Sequence, residues 1–332
     1  TLYDPDGTYP EFADADIRTS WLNRVPAFRR DHRRALPLLA AASDSLRIDA
    51  DVVVVSSSGW AHGFPTTGRR LVYCYSPPRW VYLTDTYLGR PAHTTPTGVA
   101  LLGLRPFLRR WDQARAGRAE ASGKYLAIST VVSERIRRSY GFTPEIVAAP
   151  HSYDEDLPAE PVAELADWAS GYLLVVSRLL PYKNVDLLVT AMKDLPDYRL
   201  QLMSRISDAE RSRLTALAPE GSIEFFNGAS DEQYEAAMKN ATALVSASRD
   251  EGFGLPSVEA MALGTPVLLS DIPIFREIGG EVAGYFDPDS TASLVSAVRE
   301  LEDPAEWKRR SAASVEWAQR YNWPDAATQL LE

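Results

Sequence analysis

The chain has 332 residues, 45% of them hydrophobic, one cysteine and a net charge of −10. That length favours two domains of ordinary size. A single cysteine excludes an internal disulfide and fits a reducing, cytoplasmic setting. No apolar run reaches the ~20 residues needed to span a bilayer, and the acidic balance argues against nucleic acid as a partner. The charge is unevenly spread: residues 1–150 hold 20 Lys/Arg and 14 Asp/Glu, and residues 151–332 hold 15 and 31. A positive first half and a strongly negative second half suggest domains with different partners.

Arg24, Arg29, Arg30, Arg33 and Arg34 cluster early. They read either as a solvated helix face or as a surface for an anionic acceptor or an anionic membrane, which would make the protein peripheral to it. Residues 52–56 (VVVVS) form a β-branched strand pattern running into Ser57-Ser58-Gly59, and 70–75 (RLVYCY) a second one stopped by Pro77-Pro78. Residues 124–128 and 145–149 are two further short strands around a helix at 129–140, which Gly141 ends. The second half alternates more regularly: strands at 172–177, 199–203, 223–226, 243–246 and 266–270, with helices at 184–192, 208–217, 231–239 and 256–263. Strand–helix–strand units at this spacing predict parallel sheets. The boundary falls near 149–169, where Pro150, Pro158 and Pro161 sit among acidic residues, dividing the chain into 1–150 and 151–332. Two such domains facing each other would enclose a cleft at the carboxyl ends of their strands.

Two stretches carry chemistry. In 246–266 (SASRDEGFGLPSVEAMALGTP), a strand leads through Glu251, Gly252, Phe253 and Gly254 into a helix opened by Pro256, with Glu259 expected in its first turn. Free N–H groups at a helix start attract anions, and the glycines let backbone approach a phosphate or sugar. Two carboxylates suit the vicinal hydroxyls of ribose and hexose. In 177–183 (SRLLPYK), Arg178 and Lys183 follow a strand and can converge on a diphosphate. Asp14-Ala15-Asp16 and Asp49-Ala50-Asp51 both read D-x-D, but neither stands at a strand's carboxyl end, so no metal is expected. Zinc spacing, a P-loop, G-x-G-x-x-G and G-x-S-x-G are all absent from the sequence.

Glu251 and Glu259 match the E-x7-E motif of retaining glycosyltransferases, and 170–290 resembles the carboxyl-terminal domain of glycosyltransferase family four. FNGASDEQY (226–234) and GTPVLLSDIPIFREIGG (264–280) add to the resemblance. So do SSSGWAHG (56–63), YCYSPPR (73–79) and SERIRRSYG (133–141) in the first half. The resemblance implies the GT-B fold: two Rossmann-like α/β domains with parallel sheets facing a cleft, the last helix crossing back to the first domain. It implies that Arg178 and Lys183 neutralise the leaving diphosphate and that Glu251 contacts the donor sugar. Ser177 and the backbone from Gly252 through Phe253 and Gly254 to Leu255 would hold sugar and phosphate. Glu259 would bind the ribose, and the loop Asn227-Gly228-Ala229 the base.

Two departures stand out. Relatives carry a His in a C-H-T-P-P-R segment where this chain has Tyr75, ahead of Arg79; nearby His62 is the remaining imidazole that could serve an acceptor side. Relatives also begin with a strand and a G-G-A-E-type loop, which nothing before Thr1 supplies, so the first sheet is expected to lack a central strand. The resemblance implies a retaining, metal-independent hexosyltransferase without a cofactor, moving sugar from a UDP- or GDP-sugar to a hydroxyl acceptor of a polysaccharide, glycolipid or antibiotic. A non-catalytic nucleotide-sugar binder, a sugar-nucleotide epimerase and a glycoside phosphorylase on a similar plan remain alternatives.

Overall fold

The structure, a computed structural model, describes residues 2–4, 12, 14–30, 32–153 and 171–331. Pro158 and Pro161 of the expected linker lie outside these residues, as do the side chains of Arg30 and Arg33. The chain divides into two compact units, Thr1–Val147 and Ala148–Glu332.

The first unit opens with short helices α1 (Pro26–Arg30) and α2 (Leu39–Asp44), then strands β1 (Val52–Ser57) and β2 (Arg69–Cys74). Helices α3 (Arg79–Tyr82), α4 (Thr84–Leu88) and the long α5 (Pro96–Ala121) follow. Strand β3 (Gly123–Ala127), helix α6 (Thr130–Tyr140) and strand β4 (Glu145–Ile146) complete it. The four strands are parallel in the order β1-β2-β3-β4. β1 is an edge strand: Val53 and Val55 are buried, whereas Val52 and Val54 are 61% and 70% exposed. Among the described residues no strand pairs with its outer side. Helix α6 starts and stops as its sequence dictates. Ser129 caps it by accepting from Val132 N at 3.1 Å, and Gly141 ends it at φ 85°; such a cap is worth about 1 kcal/mol.

The second unit contains strands β5 (Tyr172–Val176), β6 (Arg199–Met203), β7 (Ile223–Phe226), β8 (Ala243–Ser246), β9 (Val267–Ser270) and β10 (Gly284–Phe286). Between and after them run α7 (Val185–Ala191), α8 (Asp208–Thr215), α9 (Asp231–Asn240), α10 (Leu255–Ala262), α11 (Pro273–Gly279), α12 (Thr291–Glu300), α13 (Pro304–Ala318) and α14 (Trp323–Leu331). All six strands are parallel, in the order β10-β9-β8-β5-β6-β7. This is the doubly wound order: the chain builds outward from β5 to one edge, then returns to β8 beside β5 and builds to the other. Covered on both faces, such strands carry continuous apolar runs, as β5 and β9 do. One core joins Leu173, Val175, Leu200, Leu202, Val245 and Leu268 of the sheet to Leu188, Val189 and Met192 around α7 and to Leu294 and Val298 of α12.

Neighbours β5 and β8 point their chains toward opposite edges of the sheet, so the loops after them diverge and leave a crevice at the strands' carboxyl ends. Ligands of doubly wound folds bind at that switch point. Here the two loops are 177–184 and 247–254, the stretches singled out in the sequence.

Candidate active site

At this switch point the Lys183 ammonium, from the loop after β5, forms an ion pair with Glu251 Oε1, from the loop after β8. The two side chains are 15% and 12% exposed. Ser248 Oγ donates to the same carboxylate oxygen at 3.2 Å. The β5 loop is anchored on both sides: Arg249 N donates to Tyr182 O at 2.8 Å, and Asn184 Nδ2 donates to Pro288 O at 2.8 Å. Asn184 itself takes the left-handed conformation at φ 54°, which turns the chain into α7. Ser177 and Arg178 stand at the mouth of the loop. Ser177 Oγ donates to Arg178 O at 3.1 Å; Arg178 is exposed, and among the described residues its guanidinium has no hydrogen-bond or ion-pair partner. The structure thus joins Lys183 to Glu251 and leaves Arg178 open to solvent.

Helix α10 begins at Leu255, one residue earlier than its sequence suggests, with Gly254 as N-cap and Pro256 at its second position. Glu259 is therefore the fifth helical residue, past the first turn rather than within it. Gly254 has φ 101°, and a Cβ there would lie 2.8 Å from Phe275 Cε1 and 3.2 Å from Ile278 Cδ1 of α11. Only glycine meets both the conformation and the spacing. Gly252 and Phe253 are buried, and the Phe253 ring packs edge-on against Tyr321 at 5.7 Å. Tyr321 belongs to a support that also includes Trp317, whose Nε1 donates to Ile278 O at 2.6 Å.

Glu259 accepts a hydrogen bond from Tyr234 Oη at 2.7 Å. Burial pushes its carboxyl above the ordinary carboxylate range, an effect the Tyr234 hydrogen bond opposes. The Asn227 side chain is spent on structure: Oδ1 accepts from Ile206 N at 3.1 Å and Nδ2 donates to Ile206 O at 3.0 Å. That clasp holds the loop after β7 to the loop after β6. Gly228 follows at φ 69° with open space where a Cβ would point, and Ala229 leads into the Ser230 cap of α9. The backbone is what this loop offers a ligand.

In the first unit Tyr75 lies just past β2, 37% exposed, with its ring edge-on to Tyr73 at 5.3 Å. Arg79 opens α3 and is partly buried. His62 is a different case, at 1% exposure. Its Nε2 is 3.0 Å from Asp112 Oδ1 and its Nδ1 is 3.5 Å from Tyr125 Oη. The imidazole is turned into the interior of the unit, between β3 and α5, and presents no surface to an acceptor. Cys74 is buried nearby, its thiol pushed up to about 12 by desolvation. Asp16 is paired with exposed Arg18 at 3.0 Å, and Asp51 stands at the amino end of β1. Among the described residues no three His, Cys, Asp or Glu side chains are grouped to hold a metal.

Sequence reasoning missed Ser248, Tyr234, Trp317 and Tyr321. Ser248 and Tyr234 lie within the quoted 246–266 and 226–234 runs without being singled out there; Trp317 and Tyr321 come from the helical tail, whose packing no local motif announces.

Residues 163–314 match the family model described as "Glycosyl transferases group 1". The chain carries a glycosyl transferases group 1 domain. The family-four resemblance read from the E-x7-E region is borne out. Curated relatives of the group 1 domain include the O-antigen chain mannosyltransferase RfbU of Salmonella typhimurium, 35% identical over 40% of this chain and 38% of that protein. A GDP-mannose:cellobiosyl-diphosphopolyprenol alpha-mannosyltransferase of Xanthomonas oryzae is 34% identical over 45% of this chain and 42% of that one. The chain thus spans half or less of these relatives' length. Among solved structures, sucrose-phosphate synthase from Thermosynechococcus elongatus superposes with a TM-score of 0.69, at 21% identity, over 95% of this chain and 80% of that one. A glycosyltransferase from Rickettsia africae gives 0.57 at 14% identity, over 84% and 95%. These likenesses show the fold: two parallel α/β domains of the GT-B plan. Among the described residues no helix is long and apolar enough to cross a membrane.

Proposed function

We propose that this chain is a retaining glycosyltransferase that takes its sugar from a nucleoside diphosphate and works without a metal or cofactor. The observation that carries the reading is the meeting of Lys183 and Glu251 at the switch point of the second sheet. A cation for the diphosphate and a carboxylate for the sugar are adjacent there. Departure of the nucleotide places negative charge on its phosphates, and fixed cations aimed at that charge are the main catalytic resource; removing one such group typically costs ~10²–10³ in kcat. Arg178 and Lys183 serve that purpose. Glu251 orients the sugar hydroxyls, the Gly252–Leu255 backbone seats the sugar and phosphate, Glu259 takes the ribose, and the 227–229 backbone takes the base. In front-face transfer the donor phosphate accepts the acceptor's proton, so no protein nucleophile is required.

The named relatives make GDP-mannose the first donor to try and a lipid-linked or polysaccharide hydroxyl the first acceptor class. Tyr75 and Arg79 are the residues for an acceptor-side role. The cation-rich first half suits an anionic acceptor or contact with an anionic membrane face.

Thermal-shift titration with GDP, UDP, dTDP and ADP, without added metal, tests the reading. A ligand at ~100 Kd should stabilise by ~2.7 kcal/mol. One nucleotide should shift the wild type and fail to shift Arg178→Ala/Glu259→Ala. A shift that survives both substitutions would place the nucleotide elsewhere and refute the assignment.

A further inference from the structure

We propose that Tyr234 is a positioning residue for the donor nucleoside, clamping one oxygen of Glu259 so that the other is presented to the ribose diol. This rests on the reading of Glu259 as the ribose-facing carboxylate and deepens it.

Tyr234 is the fourth residue of α9, the helix that starts where the 227–229 loop ends. Its place is fixed from below. Asn227 clasps Ile206, and Ser230 caps α9 in a reciprocal box with Gln233, the two bonds being 3.2 and 3.0 Å. From there the phenol reaches α10 and donates to Glu259 Oε2 at 2.7 Å. The Tyr153 ring lies 6.4 Å from that of Tyr234 and packs against it. Loop, helix and carboxylate are thereby one connected frame, and the distance between the base-side loop and the ribose-side carboxylate is set by the Tyr234–Glu259 bond.

The chemistry of the pair supports the assignment. A carboxylate has about four acceptor directions. A single phenol occupies part of one oxygen, and among the described residues no other donor is bonded to Glu259. A protonated phenol is needed to donate, and burial followed by the Glu259 charge keeps the Tyr234 hydroxyl far above its ordinary value. In turn the donated bond counteracts the desolvation that raises Glu259. The donated bond favours the ionised carboxyl, the form that accepts from two sugar hydroxyls at once, against the burial that disfavours it. Without the phenol, Glu259 could rotate about its side-chain torsions, and the ribose would have to order it on binding.

The test compares GDP and UDP with their 2′,3′-dideoxy counterparts by calorimetry on wild type, Tyr234→Phe and Glu259→Gln, with donor kinetics alongside. Hydrogen bonds to a charged group give the wild type a preference for the ribose forms of roughly tenfold or more. Tyr234→Phe should shrink that preference severalfold, leave the dideoxy affinity in place, and raise the donor KM without a matching fall in kcat. A merely structural Tyr234 would weaken ribose and dideoxy forms alike, and that result overturns the proposal. If Glu259→Gln abolishes the preference while Tyr234→Phe retains it in full, the ribose reading stands and the clamp does not. A wild type that does not distinguish the two forms removes both.

Discussion

Gly254→Ala probes the turn on which the second carboxylate depends. The native φ of 101° costs an L-residue about 1–2 kcal/mol. The new Cβ would press on Phe275 Cε1 at 2.8 Å and Ile278 Cδ1 at 3.2 Å. Both side chains are fully buried in α11 and cannot swing away. Overpacking of this kind costs about 1–3 kcal/mol. The stiffer unfolded chain returns about 0.4–1 kcal/mol, leaving a net loss of roughly 1–4.5 kcal/mol. Gly228→Ala is the matched control: φ is 69°, but nothing lies within 4 Å of its Cβ, so only the backbone cost applies. For a unit of this size each kcal/mol moves Tm by ~2–4 °C. Calorimetric melts of both variants should therefore differ by several degrees, with Gly254→Ala the lower. Equal melting points would show that the contact with α11 carries no weight.

Replacing Glu251 alone leaves a mostly buried ammonium without its partner, which costs up to about 3–5 kcal/mol when a buried pair is broken. Lys183→Met/Glu251→Leu should cost clearly less than the sum of its single variants in urea titrations, and strict additivity would mean that the pair is not coupled in solution. Burial raises the Glu259 carboxyl, so the folded protein holds that proton more tightly than the unfolded chain. Stability from this group is full below the unfolded pKa and declines as pH rises through the raised folded value. Glu259→Gln cannot ionise, so the gap in Tm between it and the wild type should move in its favour across that window; parallel curves would contradict the assigned shift.

Much of the second unit was legible because each of its elements is local. Strands β6, β7 and β8 fall on the expected residues, since each is an apolar run bounded by polar turns, and α9 begins where Ser230 and Gln233 announce a cap. The long α5 of the first unit was not legible. Pro106 lies inside it, and apolar residues such as Val99, Leu104 and Phe107 are exposed on its outer side, so no single apolar face marks it as a helix. At the site, glycine, proline and charge patterns point to loop residues, and these motifs led to Arg178, Lys183, Glu251 and Glu259. Tyr234 reaches Glu259 across 25 positions and His62 reaches Asp112 across 50. Such partners are decided by how helices pack on a sheet, and neither residue type nor spacing reveals them. His62 illustrates the cost: near a motif in sequence, it is committed in space to a buried carboxylate.

The support behind Phe253 bears on where this domain can be cut. The family match ends at Ser314, yet Trp317 and Tyr321 brace the segment that holds Ile278 and Phe253. A fragment trimmed to the matched boundary would keep both glutamates and lose the wall behind the loop between them. Portability of the second unit, for grafting or for recombination with another first unit, therefore depends on carrying the helical tail along with the motif.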